Sequence, residues 1–432
     1  MKLKKIEEAL AMVDFYTYVG KVKRISGMMI EATGSKYRIG EVCAINTDTI
    51  GKSVYAEVVG FNDGRVLLMP YEDVKGIGLG STVKSTRNKL KIPVGDFLVG
   101  RIVNAKGQPM DDGEDFQTDD YRYVDNEYIN PLSRPRIDST LSFGVKAIDG
   151  VMTIGKGQRM GIFSGSGVGK STLLGMVAKN VKADINVIAL VGERGREVRE
   201  FIEKDLGEEG LKRSILVVAT SDQPAMLRVK CALVATTIAE YFRDTGKDVL
   251  LMMDSLTRFA MAQREIGLST GEPPVARGYT PSIYAELPKL LERSGNFNKG
   301  SITGIYTVLV EGDDTNEPIA DTVRGIVDGH IVLTRKLANS NHFPAIDVNA
   351  SISRLMTDIV TKEHNSSAKK IRDILSLYYE NYDLISIGAY KKGTNLALDA
   401  AISKIDKVNN FLKQEINESF TFEETLKLME EI

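Results

Sequence analysis

Cysteine is scarce in this sequence, and positive charge is not in excess. The 432 residues include two cysteines, Cys43 and Cys231, which lie too far apart to form a metal-binding or redox motif. We therefore expect two buried thiols in a reducing cytosol. Lysine and arginine total 56 against 58 aspartates and glutamates, so the formal net charge is −2. This balance argues against a dedicated nucleic-acid-binding protein, which usually carries a basic field.

Long apolar runs are also missing. A membrane-spanning helix needs about 18 or more consecutive apolar residues, and no run in this sequence approaches that length. Near the N-terminus the longest apolar stretch, residues 9–13, lies between Glu8 and Asp14, so we expect no signal peptide. Any role at a membrane would have to come through partners.

The most informative segment is rich in glycine and ends in Lys170 and Ser171. A short apolar strand over 159–163 leads into Gly165, Gly167 and Gly169, and a helical pattern follows from Lys170. This is the layout of a phosphate-binding loop, in which glycines let backbone N–H groups surround phosphate oxygens at a helix N-terminus. Lys170 would reach the β- and γ-phosphates, and the Ser171 hydroxyl would ligate Mg²⁺. The strict motif has glycine where this chain has Ser164, but the inner glycines remain.

The rest of the chain divides into three parts, and the length also suggests about three domains. Residues 1–90 predict an amphipathic helix over 1–16 followed by a small β-barrel, with a hairpin turn at Asn62-Asp63-Gly64. Residues 91–358 include an acidic loop region over 107–137 and then apolar strands alternating with helices, which predict a parallel, doubly wound α/β sheet. Residues 359–432 predict a helical bundle.

Polar groups follow several of the predicted strands, where open α/β sheets bind their ligands. Glu193 follows a strand over 185–191, and Asp254 follows a strand over 249–253. An apolar strand ending in aspartate, downstream of a phosphate loop, is typical of the carboxylate that steadies Mg²⁺. Glu193 is our candidate for orienting the attacking water or accepting its proton. The positive charge that the transition state needs could come from Arg194, Arg258 or Arg354, and spacing does not choose among them.

Several segments of this chain resemble the hexameric rotary ATPase family, which includes the catalytic β subunit of ATP synthase. They are residues 164–171, 192–197 and 344–354. Longer segments are similar to one branch, the type III export ATPases; they are residues 219–225, 254–267, 271–274, 277–282 and 310–318. Within that branch, residues 255–257 and 277–282 look more like the flagellar enzyme than its virulence-secretion relative.

The resemblance implies a role for each site residue. Lys170, Glu193, Arg194 and Arg354 would be catalytic, with Arg354 acting as an arginine finger in the neighbouring subunit's site. Ser171 and Asp254 would hold Mg²⁺. Nucleotide-binding residues would follow the loop and end with an aromatic that packs on adenine: Ser164, Gly165, Ser166, Gly167, Val168, Gly169, Lys170, Ser171, Thr172 and Phe343.

The function implied is Mg²⁺-dependent ATP hydrolysis by a homohexameric ring, which would drive or prime the export of flagellar proteins. The implied partners are a regulator or stator protein at the helix over 1–16, a central stalk protein, membrane proteins of the export gate, and export chaperones, with no nucleic acid. The enzyme would be cytoplasmic and peripheral at the membrane export apparatus. The closest alternatives are a virulence-type secretion ATPase and a catalytic subunit of a rotary ATP synthase.

Two further alternatives belong to other classes. A non-catalytic nucleotide-binding subunit of a mixed ring would tend to lack the carboxylate at Glu193. A ring helicase would need a basic or aromatic nucleic-acid module, and the N-terminal part shows none.

Overall fold

The computed structural model of the chain describes residues 17–34, 36–49, 51–124, 129–310 and 317–432. The helix predicted over residues 1–16 lies outside this part of the chain. The described residues form two compact units. One contains the residues up to Lys91 together with Glu265–Glu272, and the other contains Ile92–Arg264 and Pro273–Ile432.

The smaller unit is a closed six-stranded β-barrel, as predicted. Around the barrel the strands run in the order β1-β2-β5-β4-β3-β6, and β6 pairs with β1. Its core is apolar, with residues such as Val22, Ile45 and Leu68 almost fully buried. The strands are β1 (Val19–Ser26), β2 (Met29–Ala32), β3 (Glu41–Asn46), β4 (Ser53–Asn62), β5 (Arg65–Pro70) and β6 (Thr82–Lys89).

Two turns of the barrel show where local patterns succeed and fail. The predicted hairpin turn joins β4 to β5 through Asp63 and Gly64, both at positive φ (45° and 73°), as a two-residue turn requires. Residues 22–31, by contrast, do not form one continuous strand. Gly27, at φ 59°, reverses the chain there and pairs β1 with β2 as an antiparallel hairpin.

The larger unit contains a sheet whose main path is β19-β18-β12-β17-β15-β13-β14-β8, with β16 paired at the side of β17. The neighbours on this path are parallel except β18 and β19, which are antiparallel. The fold is therefore the predicted α/β type with one antiparallel edge. Its strands are β8 (Ile102–Asn104), β12 (Arg159–Ser164), β13 (Ile185–Glu193), β14 (Ser214–Thr220), β15 (Asp248–Asp254), β16 (Gly295–Asn296), β17 (Ser301–Leu309), β18 (Gly329–Leu333) and β19 (Ile346–Ser353).

Shorter strands lie outside this sheet, and helices cover it. The shorter strands are β7 (Lys91–Pro93), β9 (Tyr121–Tyr123), β10 (Thr140–Leu141) and β11 (Ile154–Gly155). The helices up to Ile326 are α1 (Lys146–Val151), α2 (Lys170–Asn180), α3 (Gly195–Glu200), α4 (Gly207–Lys212), α5 (Ala225–Asp244), α6 (Leu256–Ser269), α7 (Pro281–Leu291) and α8 (Pro318–Ile326). A π-helical segment over Phe201–Leu206 joins α3 to α4.

The acidic region predicted as a solvated loop is partly structured. Besides β9, it includes an ion pair in which Arg101 Nη2 lies 2.6 Å from Asp111 Oδ1. Asp111 also accepts a hydrogen bond from the backbone N–H of Ile102 at the start of β8. This carboxylate therefore fixes the edge strand of the sheet instead of remaining solvated.

The C-terminal part is helical, as predicted, and it shares a core with the sheet. Ile371, Ile405, Val408 and Met429 belong to the same hydrophobic cluster as Ile162 of β12. The remaining helices are α9 (Arg335–Asn339), α10 (Met356–Ile359), α11 (Lys362–Glu380), α12 (Tyr382–Ser386), α13 (Leu396–Leu412) and α14 (Phe422–Glu430). Thr421 and Glu424 form a capping box at the start of α14. In the described ranges, no helix is long and apolar enough to cross a membrane.

Candidate active site

The phosphate loop lies between the end of β12 at Ser164 and the start of α2 at Lys170. Gly169, the N-cap of α2, has φ 86°, and Gly167 has φ 75°. These values belong to the left-handed region, where a residue with a side chain is strained. The two glycines thus permit a turn that ends at a helix N-terminus, and such a turn can bind an anion.

Lys170 and Asp254 form an ion pair in the cavity beside this loop. Lys170 Nζ contacts Asp254 Oδ1, and Asp254, the last residue of β15, is only 5% exposed. The same carboxylate oxygen accepts a hydrogen bond of 2.7 Å from Thr307 Oγ1 on β17. The central strands therefore bring the Asp254 carboxylate and the Lys170 ammonium to one point at the carboxyl edge of the sheet.

Glu193 lies at the end of β13, beside this pair, and is 7% exposed. Burial raises the pKa of its carboxyl from the ordinary 4.5 to about 7, and the charge of Asp254 adds to the effect. The charges of Lys170 and Arg258 act in the opposite direction. A carboxyl with a pKa near neutrality can both accept and return a proton at physiological pH.

The backbone before Glu193 makes room for an arginine. Arg258 on α6 donates a hydrogen bond from Nε to Glu193 Oε1 at 3.3 Å. Gly192 has φ 69°, and a Cβ at that position would lie 3.1 Å from Arg258 Cδ. Glycine therefore allows both the left-handed turn and the close approach of the Arg258 side chain.

The three candidate arginines occupy different places. Arg258 contacts Glu193 directly. Arg194 lines the same cavity, but its side chain is 73% exposed and pairs with Glu197 at 3.3 Å. Arg354 follows β19, and its Nη2 donates to the backbone oxygen of Arg324 at 3.3 Å. Arg354 is not among the described residues that line the cavity around Glu193.

This cavity has a volume of about 420 Å³. Ten of the residues predicted from the sequence line it: Gly165, Ser166, Gly167, Gly169, Lys170, Ser171, Thr172, Glu193, Arg194 and Asp254. The predicted residues Ser164 and Val168 are buried behind the loop. Phe343 is 42% exposed, and its ring lies 3.5 Å from the position that a Cβ on Gly169 would take.

The donor set fits Mg²⁺. The Ser171 hydroxyl and the Asp254 carboxylate line the same cavity and are hard oxygen ligands, which Mg²⁺ prefers. Across the described ranges, no group of three or more His, Cys, Asp or Glu side chains could hold a metal by itself. Two protein oxygens suit an ion that takes its other ligands from substrate phosphates and water.

Reasoning from the sequence missed Thr307 and left Arg258 as one of three candidates. The available signal for Thr307 was a threonine near the carboxyl end of a buried strand, next to the strand of the phosphate loop. No local pattern marked Arg258, because its contact with Glu193 depends on the packing of α6.

Comparison with known proteins covers nearly the whole chain. Residues 22–87 match the β-barrel domain of the ATP synthase alpha/beta family, residues 144–353 match its nucleotide-binding domain, and residues 360–431 match the T3SS EscN ATPase C-terminal domain. The flagellum-specific ATP synthase of Bacillus subtilis is 55% identical over 99% of this chain and 98% of its own length. The type 3 secretion system ATPase of Xanthomonas euvesicatoria is 46% identical over 98% of this chain and 95% of its own.

A solved structure is similar over almost the same range. The assembled ATPase EscN from the enteropathogenic E. coli type III secretion system superposes with a TM-score of 0.91 at 47% identity. The match covers 95% of this chain and 99% of that chain. EscN has also been solved in complex with its central stalk EscO, and that chain superposes with a TM-score of 0.88 at 46% identity, again over 95% of this chain and 99% of its own.

Proposed function

The chain belongs to the ATP synthase α/β family, and we propose that it is the Mg²⁺-dependent ATPase of a type III export apparatus that exports flagellar proteins. The observation that carries this proposal is Glu193, a buried carboxyl of raised pKa beside the Lys170–Asp254 pair under a phosphate loop. The similarity to flagellum-specific ATP synthases and to a C-terminal domain of type III secretion ATPases supports the biological role.

Each side chain has a defined part in hydrolysis under this proposal. The phosphate loop, residues 164–172, and Lys170 bind the phosphates of ATP, and Phe343 packs on the adenine. Ser171 and Asp254 would hold Mg²⁺, which offsets the negative charge of the phosphates. Glu193 orients the attacking water and accepts its proton. Arg194 and Arg258 of the same chain provide positive charge on the phosphate side.

Under this proposal, Arg354 takes part in catalysis only when a second subunit is present. Since it does not line the cavity of its own chain, we propose that it completes the site of a neighbouring copy in a homohexameric ring. In other NTPases an arginine supplied in this way increases the rate about 10³- to 10⁵-fold. The assembled state of EscN supports a ring. We retain the division into parts 1–90, 91–358 and 359–432 as part of this proposal.

The proposed partners follow from the same family. A central stalk protein is supported by the EscN–EscO complex. We propose further that residues 1–16 bind a regulator or stator protein, and that export-gate membrane proteins and export chaperones meet the ring at the cytoplasmic face of the membrane. Nucleic acid has no part in this function.

The decisive experiment is steady-state ATP hydrolysis by the purified chain over a concentration series, with Glu193→Gln measured in parallel. We expect activity per chain to rise steeply with concentration and to disappear in Glu193→Gln. The matched control is Glu200→Gln on α3, which pairs with Arg196 and does not line the cavity. Activity strictly proportional to concentration, from a demonstrated monomer, would contradict the ring.

Virulence-type secretion is the second candidate, because the type 3 secretion system ATPase of Xanthomonas is 46% identical over 98% of this chain. Expression of the chain in a Bacillus subtilis strain that lacks its flagellum-specific ATP synthase separates the two. Restored motility supports the flagellar role. Restoration of secretion only, in a Xanthomonas strain that lacks its secretion ATPase, would replace it.

A further inference from the structure

A second cavity, of about 510 Å³, lies in the larger unit between the sheet edge and the C-terminal helices. We call it the tyrosine cavity, because Tyr378, Tyr379 and Tyr382 form one of its walls. The lining also includes Leu337 of α9 and Ile346 of β19. Within the described ranges, no residue lines both this cavity and the one around Glu193.

The three rings of the tyrosine wall pack edge to face on one another. The rings of Tyr378 and Tyr379 have centroids 5.5 Å apart at 78°, and those of Tyr378 and Tyr382 are 5.9 Å apart at 62°. Tyr379 and Tyr382 remain partly exposed, so ring surface is available to a ligand. Such a wall favours a flat apolar body that stacks against a ring face or meets its edge.

Two buried polar atoms of the cavity lining have no hydrogen-bond partner in the described part of the chain. They are Nε2 of His342, a residue that is 6% exposed, and Oδ1 of Asn409. Buried polar atoms are costly to leave unpaired. Burial, with the charge of Lys413, lowers the pKa of His342 to about 4, so the imidazole is neutral at pH 7. A neutral ring and an amide oxygen suit a ligand with its own N–H or O–H group.

The lining also carries an excess of positive charge. Lys336 and Lys413 are both exposed, against one carboxylate, Asp347. Lys336 Nζ lies 5.4 Å from the centroid of the Tyr379 ring. An anionic group at the opening would therefore be attracted while the apolar body contacts the exposed tyrosine rings.

We propose that the tyrosine cavity binds a flat aromatic molecule with one anionic group and one hydrogen-bond donor. Its rings lie against the tyrosine wall, its donor pairs with Asn409 Oδ1 once that buried amide turns toward the cavity, and its anionic group lies near Lys336 and Lys413. The chemical class is that of the aryl carboxylates and aryl sulfonates.

A ligand in the tyrosine cavity could affect nucleotide binding, because the cavity lining is connected to Phe343. His342 precedes Phe343, and Lys413 precedes Gln414, whose N–H donates to the Phe343 oxygen at 3.0 Å. A ligand that moves His342 or Lys413 would therefore move Phe343. This step rests on the proposed function, since it assumes that Phe343 packs on adenine. The binding proposal itself does not.

The test is a titration of the full chain with 1-anilinonaphthalene-8-sulfonate, a probe with two aromatic systems, one N–H group and one sulfonate. Saturating ADP and Mg²⁺ are present to fill the phosphate-loop cavity. We expect one saturable site per chain by calorimetry, with enhanced fluorescence. Absence of saturable binding under these conditions, or binding seen only when ADP is omitted, would overturn the proposal.

Variants locate the probe. Tyr382→Ala, Asn409→Leu and Lys413→Glu should each weaken binding about tenfold, because each removes one recognition feature. Lys407→Glu is the matched control for charge, since it is an exposed lysine of α13 outside the lining, and should bind as the parent does. Equal affinity in all four variants would place the probe elsewhere. Thermal unfolding of each variant, with its melting temperature kept near that of the parent, separates lost recognition from lost folding.

Discussion

Thr307 Oγ1 donates a 2.7 Å hydrogen bond to the same oxygen of Asp254 that Lys170 contacts. Thr307 Oγ1 also lies 3.3 Å from the backbone oxygen of Met253. The hydroxyl therefore helps to hold the carboxylate at the end of β15 in one orientation. We infer that Thr307 is a positioning residue for the proposed Mg²⁺ site.

Thr307→Val keeps the shape of the side chain and removes the donor. Since a hydrogen bond to a charged group contributes about 1.5–3 kcal/mol, we expect kcat/KM for ATP hydrolysis to fall at least about tenfold, with a raised Mg²⁺ requirement. Thr236→Val is the control, because Thr236 is equally buried and its hydroxyl donates to the Ala232 oxygen within α5, away from the cavity around Glu193. If the two variants have equal activity and equal Mg²⁺ dependence, the Asp254 carboxylate does not depend on Thr307 for its orientation.

The raised pKa of Glu193 predicts the pH dependence of the enzyme. If the ionised carboxylate accepts the proton of water, kcat/KM should fall as pH drops through about 7, well above the ordinary value of 4.5 for a glutamate. The measurement is kcat/KM between pH 5.5 and 9. An acidic limb near the ordinary value would mean that Glu193 is not the titrating base.

The raised pKa of Glu193 also makes the free energy of unfolding depend on pH. The direction is opposite to that of a salt-bridged carboxylate, whose pKa is lowered in the folded state. Because the folded-state pKa lies above the unfolded value, the folded chain binds this proton more tightly. The contribution of Glu193 to the free energy of unfolding is therefore present below about pH 4.5 and is lost as pH rises to about 7. In urea denaturation, Glu193→Gln should be less sensitive to pH across this window than the parent. Identical pH dependence in both chains would argue against the shift.

Gly192→Ala tests the turn that admits Arg258. The alanine would have to adopt φ 69° with its Cβ 3.1 Å from Arg258 Cδ. We expect a loss of about 1–2 kcal/mol in the free energy of unfolding from the left-handed conformation, together with reduced kcat because Arg258 must move away from Glu193. Gly325→Ala in α8 is the control, since a Cβ there meets no atom within 4 Å and its φ is not in the left-handed region. Both properties are measurable on the same preparations, by urea denaturation and by steady-state turnover.

Local sequence patterns predicted the parts of this protein that are determined locally. The phosphate loop needs left-handed glycines before a helix, and strand ends follow from apolar runs that stop at a polar residue. Lys170, Glu193 and Asp254 were expected to lie close together for that reason, and the parallel sheet brings them together.

Other features depend on contacts that no local pattern records. The three-residue strand β8 is too short for periodicity, and it exists because β14 and the Asp111 carboxylate hold it. A single glycine, Gly27, marks the reversal between β1 and β2, and no Asn, Asp or Pro adjoins it. The choice between Arg258 and Arg354 beside Glu193 depends on how α6 and β19 pack, and the raised pKa of Glu193 depends on burial.

Arg354 and Glu193 of one chain should serve different sites, and mixed rings can test this. Glu193→Gln keeps a functional Arg354, whereas Arg354→Ala keeps a functional Glu193. If the arginine acts on the neighbouring subunit, each variant alone is nearly inactive. When the two are mixed before assembly, some sites combine the Glu193 of one chain with the Arg354 of the next and regain turnover.

The measurement is ATP hydrolysis as a function of mixing ratio at constant total protein, with a maximum expected near equal amounts. The control pair is Glu193→Gln mixed with Lys170→Ala, which damages the same site from the same chain and should show no such maximum. A flat profile for both mixtures would mean that Arg354 does not act across a subunit boundary. The positive charge at the site would then have to come from the same chain, from Arg194 or from Arg258, which contacts Glu193.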